Sequence, residues 1–438
     1  MCETTWFLIV GGVFIVMGIA GSLLKRLPCS SAMLYLAIGA ALGTPGAGIL
    51  ALDIFRDAHL LRVLTEVALL VSLFAIGLRL RVPLANPLWG LPLRLGVLAM
   101  LVTIPLLTAF GMVVLDLPVG PALLIAAILA PTDPVLAHDV QVQDSRDQDQ
   151  MRFALSGEGG LNDGAAMPFA LLGIALCIQP DRPIAAALSP TFMAHALWGG
   201  VGAISIGATL GWATTHGVAW LRTRHAQALG LEGFFALGLI VLSYGAAELA
   251  HTYGFLAVFA AGVAMRRVEH RASGERTAQA TIGTLDPQNV QATAAHPDKA
   301  HAYMAESILG FTIELEKIAE MATMIVIGNV LTTLPAPLLS QRNAMVAAVL
   351  FLLVRPLAVG ISLAGSRASP AQRRLMSWFG IRGIGSFYYT AFAVEHGVQA
   401  STAIVSTALF VVTASVVVHG ISATPLMNWY QRWRQAHQ

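Results

Sequence analysis

Apolar runs of bilayer length recur from one end of the chain to the other, separated by short polar breaks. They fall near 5–24, 29–47, 59–78, 95–116, 119–140, 153–178, 190–221, 232–249, 253–268, 306–334, 343–364, 376–394 and 400–421. A helix needs about 20 apolar residues to cross the hydrocarbon core, so the pattern predicts an all-α integral membrane protein with about 13 transmembrane helices. The second run is short, and the seventh and tenth are long enough to tilt or bend. The first lacks a basic flank and outruns a signal-peptide core, so it reads as a retained helix.

Composition agrees with the pattern. The chain is 56% hydrophobic and 11% charged, with a mean hydropathy of +0.71, whereas soluble domains carry about 25% charged residues. Such a chain cannot cover a water-facing surface, and membrane lipid is its solvent. A net charge of +2 without a basic block argues against a nucleic-acid partner. Cys2, Cys29 and Cys177 lie too far apart for a metal or disulfide framework. No GxSxG, HExxH or metal-spaced cluster points to an enzyme or a cofactor.

The basic residues orient the spans. With the N-terminus outside and the C-terminus in the cytoplasm, only Arg56, Arg62, Arg182 and Arg342 fall in outer loops. Lys317, Arg355 and Arg382 lie within spans, and the remaining Lys and Arg lie on the inner side. The polar stretch 269–302 lacks apolar periodicity and reads as a flexible cytoplasmic linker.

Ionisable residues inside the spans are then the informative ones, because each costs at least about 2.5–3.5 kcal/mol to insert unless it is paired, hydrated or functional. Asp133 sits in "PTDP", between Pro131 and Pro134. Two prolines should break the fifth span at Thr132–Asp133, and a broken helix in lipid is tolerated where it lines a buried site. A kinked helix capped by Asp133 uses the same residues. Asn162 and Asp163 lie in the sixth span among Gly157, Gly159, Gly160 and Gly164. Asp163 has no basic residue within a helical turn. Burial without a cation partner disfavours the ionised form, so one proton and one cation would compete for this group. A permanently protonated acid is the alternative.

Glu158 points about 140° away from Asp163 at 100° per residue and needs its own partner. Arg355 in the eleventh span is otherwise unexplained, and the two read as a structural ion pair. Arg382 opens "RGIGSFYY" in the twelfth span, seven spans after Asp133. The odd offset makes the two spans antiparallel, the pattern of inverted repeats whose broken helices cross at mid-membrane. Asp133 and Arg382 would offset the partial charges of the half-helix ends. Glu66 in the third span reads equally as a site residue or as a shallow acid reaching an interface. Glu314, Glu316, Lys317 and Glu320 read as the polar flank of the tenth span.

Taken in order and spacing, "PTDP", "GEGGLND", the Arg355-Pro356 pair, "RGIGS" and "LFAIGL" resemble the monovalent cation/proton antiporters, most nearly the NhaP-like sodium/proton antiporters. The resemblance covers about residues 5–421 and implies a secondary antiporter of the cell (inner) membrane that exchanges Na⁺, K⁺ or Li⁺ for H⁺, with no cofactor. It implies a homodimer in which 1–90 and 190–335 form a scaffold and 92–178 and 341–421 form a moving, ion-carrying core. By motif, Asp163 alternates between proton and cation. Asp133, Thr132 and Asn162 line the site, with the cation expected on Asp163, Asp133, Thr132 and water, and the position of Glu66 fits. Asn-Asp rather than Asp-Asp implies electroneutral, one-for-one exchange. Gly159 departs from the family, which often places a ligand serine there, and leaves Ser156 or water to fill that place. A potassium-selective antiporter and a channel-like cation pathway are the alternatives.

Overall fold

The computed structural model describes residues 11–15, 18–19, 30–44, 46–133, 135–136, 140–142, 147, 149–181, 183–225, 227, 230–274, 276–283, 290–334, 338–398 and 401–437. Most of the expected first span, Pro134, and residues 275 and 284–289 of the expected linker lie outside the described residues.

Every extended element among the described residues is helical. In chain order they are α1 (Ser31–Leu42), α2 (Ala58–Arg79), α3 (Pro87–Val113), α4 (Val119–Leu129), α5 (Gln150–Ile178), α6 (Pro190–His225), α7 (Glu232–Leu249), α8 (Gly254–Ser273), α9 (Ala300–Leu331), α10 (Gln341–Ser362), α11 (Pro370–Trp378), α12 (Ile384–Glu395) and α13 (Ser401–His437). Among the described residues, seven helices are long and apolar enough to cross a membrane: α2, α3, α5, α6, α7, α10 and most of α13. Helices α1 and α4 are apolar but shorter. Large apolar side chains such as Leu93, Trp212, Phe234, Leu249 and Leu352 stay exposed, as a bilayer rather than water requires.

Helix α2 is the most enclosed of the seven. It packs against α8 and α9 and also against α12. Helices α4 and α5 pack on each other, as do α6 and α8. Helix α5 meets α8 closely because residue 160 is glycine: a Cβ there would run into the Phe259 ring.

Two stretches of the chain repeat one sequence of events. Helix α3 contains a π-helical turn at Arg94–Leu98, and a broken helix follows it. Helix α10 contains a π-helical turn at Leu350–Val354, and again a broken helix follows. Such turns are rare and concentrate at functional sites. Helix α4 ends at Leu129, and the backbone is unwound through Asp133. The break therefore starts earlier than the prolines alone predicted. Helix α11 ends at Trp378, and Phe379–Gly383 are unwound before α12 starts.

The stretch 269–302, expected as a flexible linker, contains helical segments among its described residues. Helix α8 runs on to Ser273, and short helices form at Ala278–Ile282 and Val290–Ala295. Buried Glu269 accepts from both Arg81 and Arg266, and the Thr277 hydroxyl accepts from the Ala280 N–H at 3.2 Å as an N-cap.

Candidate functional site

The two unwound segments touch. The Asp133 N–H donates to the Ile381 carbonyl at 2.7 Å. The Asp133 carboxylate lies at the start of α12. One oxygen accepts from the Val135 N–H at 2.7 Å and the Leu136 N–H at 3.3 Å, and the other accepts from the Ile384 N–H. A helix start has unpaired N–H groups and a partial positive charge, and Asp133 answers both. Arg382 occupies the opposite ends. Its Nε donates to the Leu129 carbonyl at 2.9 Å, its Nη2 to Ala130 at 3.5 Å and its Nη1 to Gly380. These are end carbonyls of α4 and of the α11 segment. Both side chains are buried, and each bonds to backbone of its own break and of the other.

Asp163, on α5, is different. It is 1% exposed, and neither carboxylate oxygen has a hydrogen-bond partner among the described residues. Its carboxylate faces the first turn of α12: a Cβ at Gly385 would stand 2.9 Å from Asp163 Oδ1. Only glycine leaves that space. Asn162, beside it, donates through Nδ2 to the Thr132 carbonyl at 3.0 Å and to the Thr132 hydroxyl at 2.8 Å. Asn162 Oδ1 is buried without a partner, and so is Ser386 Oγ. Four unpartnered buried oxygens therefore lie on α5 and the first turn of α12. Hard oxygen donors of this kind suit a hard cation or a proton.

Glu158 lies five residues before Asp163 on the same helix and is just as buried, but it is fully paired. Arg355 Nη1 and Nη2 grip both its carboxylate oxygens, the second at 2.9 Å. The same Nη2 also donates to the Met376 and Phe379 carbonyls at 3.0 and 3.2 Å, at the end of α11. This pair pins α5 to α10 and to the second broken helix.

Two residues considered for the site do not join it. Ser156 Oγ accepts from the Val142 N–H at 2.9 Å, and seven residues along a helix from Asp163 is about 10 Å of rise. Glu66 lies on α2. It is buried, pairs with Arg62 at 2.7 Å, and accepts from the Tyr244 hydroxyl. Its place is a polar cluster that also holds Glu395 and His59. Glu316 likewise belongs to an interhelical pair, with Arg79, and not to a polar flank. Conversely, sequence reasoning passed over Ser386, Tyr389 and Ser415. The Tyr389 hydroxyl donates to the Asp163 carbonyl at 2.6 Å, and the Arg382 N–H donates to Ser415 Oγ at 2.8 Å. The signal available was the density of hydroxyls in an otherwise apolar half-helix, "GSFYYT".

Crossed broken helices that enclose a buried, unpaired acid define a class: a polytopic membrane protein with a polar centre between interrupted helices. Residues 12–285 and 318–429 match the family described as "Sodium/hydrogen exchanger, transmembrane", and the chain belongs to that family. It is 24% identical over 405 residues to the K(+)/H(+) antiporter NhaP2 of Shewanella sp. (strain ANA-3), and 23% identical over 402 residues to that of Shewanella baltica (strain OS223). Each alignment covers 91% of this chain and 62% of the relative, so the chain spans less than two thirds of those proteins' length. In fold it resembles the sodium proton antiporter MjNhaP1 from Methanocaldococcus jannaschii. One structure gives a TM-score of 0.72 at 18% identity and 97% coverage of both chains. A second, at pH 8, gives 0.67 at 17% identity, covering 96% of this chain and 95% of that one.

Proposed function

We propose that this protein is a secondary antiporter that exchanges an alkali cation for a proton, with Asp163 as the shared carrier. The observation that carries the reading is the buried Asp163 carboxylate with both oxygens unpartnered. An acid in that state holds a proton, or a cation in its place. When the proton leaves, the cation takes the two carboxylate oxygens, with Asn162 Oδ1 and Ser386 Oγ as neutral donors. Thr132 and Asp133 frame the site, where their polar groups also serve Asn162 and the backbone. One carboxylate flanked by Asn162 exchanges one charge for one charge, which makes the cycle electroneutral.

The helices of 92–178 and 341–421 form the moving core, and those of 1–90 and 190–335 form the scaffold of a homodimer in the cell (inner) membrane. The N-terminus lies outside and the C-terminus in the cytoplasm, with pH and sodium homeostasis as the physiological role. Sodium is the first candidate cation, with Li⁺ as its analogue. The potassium-coupled relatives favour K⁺ as the second reading.

The test is dequenching of a pH dye in proteoliposomes, with Na⁺, K⁺ and Li⁺ added in turn. Cation addition should alkalinise the lumen or the bath according to the gradient, with no net current. Apparent cation affinity should fall as pH falls, approaching about tenfold per unit where the protonated carrier dominates. A steady current without proton movement would identify a channel-like pathway instead.

A further inference from the structure

We propose that an apolar slot between α3 and α5 on one side and α6 and α8 on the other binds an anionic phospholipid. The slot has a volume of about 410 Å³. Leu93, Leu161, Ile204 and Phe259 supply apolar wall, and Leu93, Ile204 and Trp212 are about half exposed. In a membrane protein that exposure opens the slot sideways to lipid chains.

The polar end is built by Arg267 and Arg271, one turn apart on α8. Their basic neighbours are matched: Arg81 pairs with Glu269, and Arg266 pairs with Glu269 and Glu306. Arg267 and Arg271 form no ion pair among the described residues, and Arg267 Nε is buried without a hydrogen-bond partner. A buried guanidinium nitrogen left unpaired is costly. A phosphodiester placed between two guanidinium forks would satisfy it, and basic pockets between membrane helices bind lipid head groups in this way. Chain and head group thus match the two ends of the slot. The slot is not a cation path, because no carboxylate or hydroxyl side chain lines it and two fixed positive charges stand at its mouth. Because its walls come from both helix groups, a lipid in it ties α3 and α5 to α6 and α8 and restrains movement between them.

The test uses the full chain, stripped of lipid in detergent. Bound lipid is counted by native mass spectrometry, and thermal unfolding is followed with added phosphatidylglycerol or phosphatidylcholine of identical chains. Phosphatidylglycerol should be retained and should raise the unfolding temperature, whereas phosphatidylcholine and free glycerol phosphate should do neither. The double variant Arg267→Ala/Arg271→Ala should lose about tenfold or more in phosphatidylglycerol affinity, while unfolding in phosphatidylcholine as the parent does. Ala208→Trp fills the slot and leaves the arginines intact; it should exclude the same lipid and decides the matter if the double variant does not fold. Equal retention of both lipids, retention of neither, or undiminished phosphatidylglycerol binding by both variants would overturn the assignment.

Discussion

Glu158 and Asp163 lie on one helix, five residues apart, and both are sealed from solvent. Every oxygen of the first is held by Arg355, and no oxygen of the second is held by anything among the described residues. The difference shows that burial alone does not mark a functional acid. A carboxylate with a bidentate guanidinium has had its charge cancelled for good and can only hold helices together. One left unpaired beside a positive helix end keeps both oxygens open to a proton or a cation.

The largest effect is expected from Asp163→Asn. Exchange in proteoliposomes should fall to the level of empty vesicles, while thermal unfolding stays within about 1 kcal/mol of the parent, since no partner is orphaned. Undiminished proton exchange by this variant would remove Asp163 from its role. Glu158→Gln or Arg355→Gln alone should destabilise by about 3–5 kcal/mol, because each strands a buried charge, and the double change to Gln and Met should recover most of the loss. Unfolding of the solubilised variants measures this, and a double variant as unstable as the singles would contradict it. Gly385→Ala sets a methyl 2.9 Å from Asp163 Oδ1 and should lower apparent cation affinity by about tenfold, worth about 1.4 kcal/mol. Ser386→Ala removes one neutral donor of about 1 kcal/mol, near fivefold in affinity, with unfolding unchanged. Wild-type cation titration by the Ser386 variant would take that hydroxyl out of the site.

How much of this was legible depended on whether a residue's partner was near in sequence or dictated by need. The membrane class and the breaks near Asp133 and Arg382 follow from apolar runs, prolines and glycines, which act locally. Glu158 and Arg355 are 197 residues apart, yet each is a charge inside an apolar span and so demands an opposite one. The Arg62 partner of Glu66 was within reach of the sequence, since it stands at the i−4 position, a pairing distance on any helix. The extent of the second break was not legible, because glycines mark weakness without its length. Ser156 shares a face with Asp163, but the backbone N–H that occupies it comes from a loop whose path no periodicity encodes. Ser386 was hidden because a missing hydrogen bond leaves no trace in a sequence.

The direct backbone link between Asp133 and Ile381 also bears on leakage. Two interrupted helices would ordinarily leave a hole in the dielectric through which protons could hop. Here the gap is plugged from within, by Arg382 on the carbonyl side and Asp133 on the amide side. On the proposed reading, a stroke that moves Asp163 would move Arg382 and Asp133 with it, and the insulating barrier would travel with the cargo.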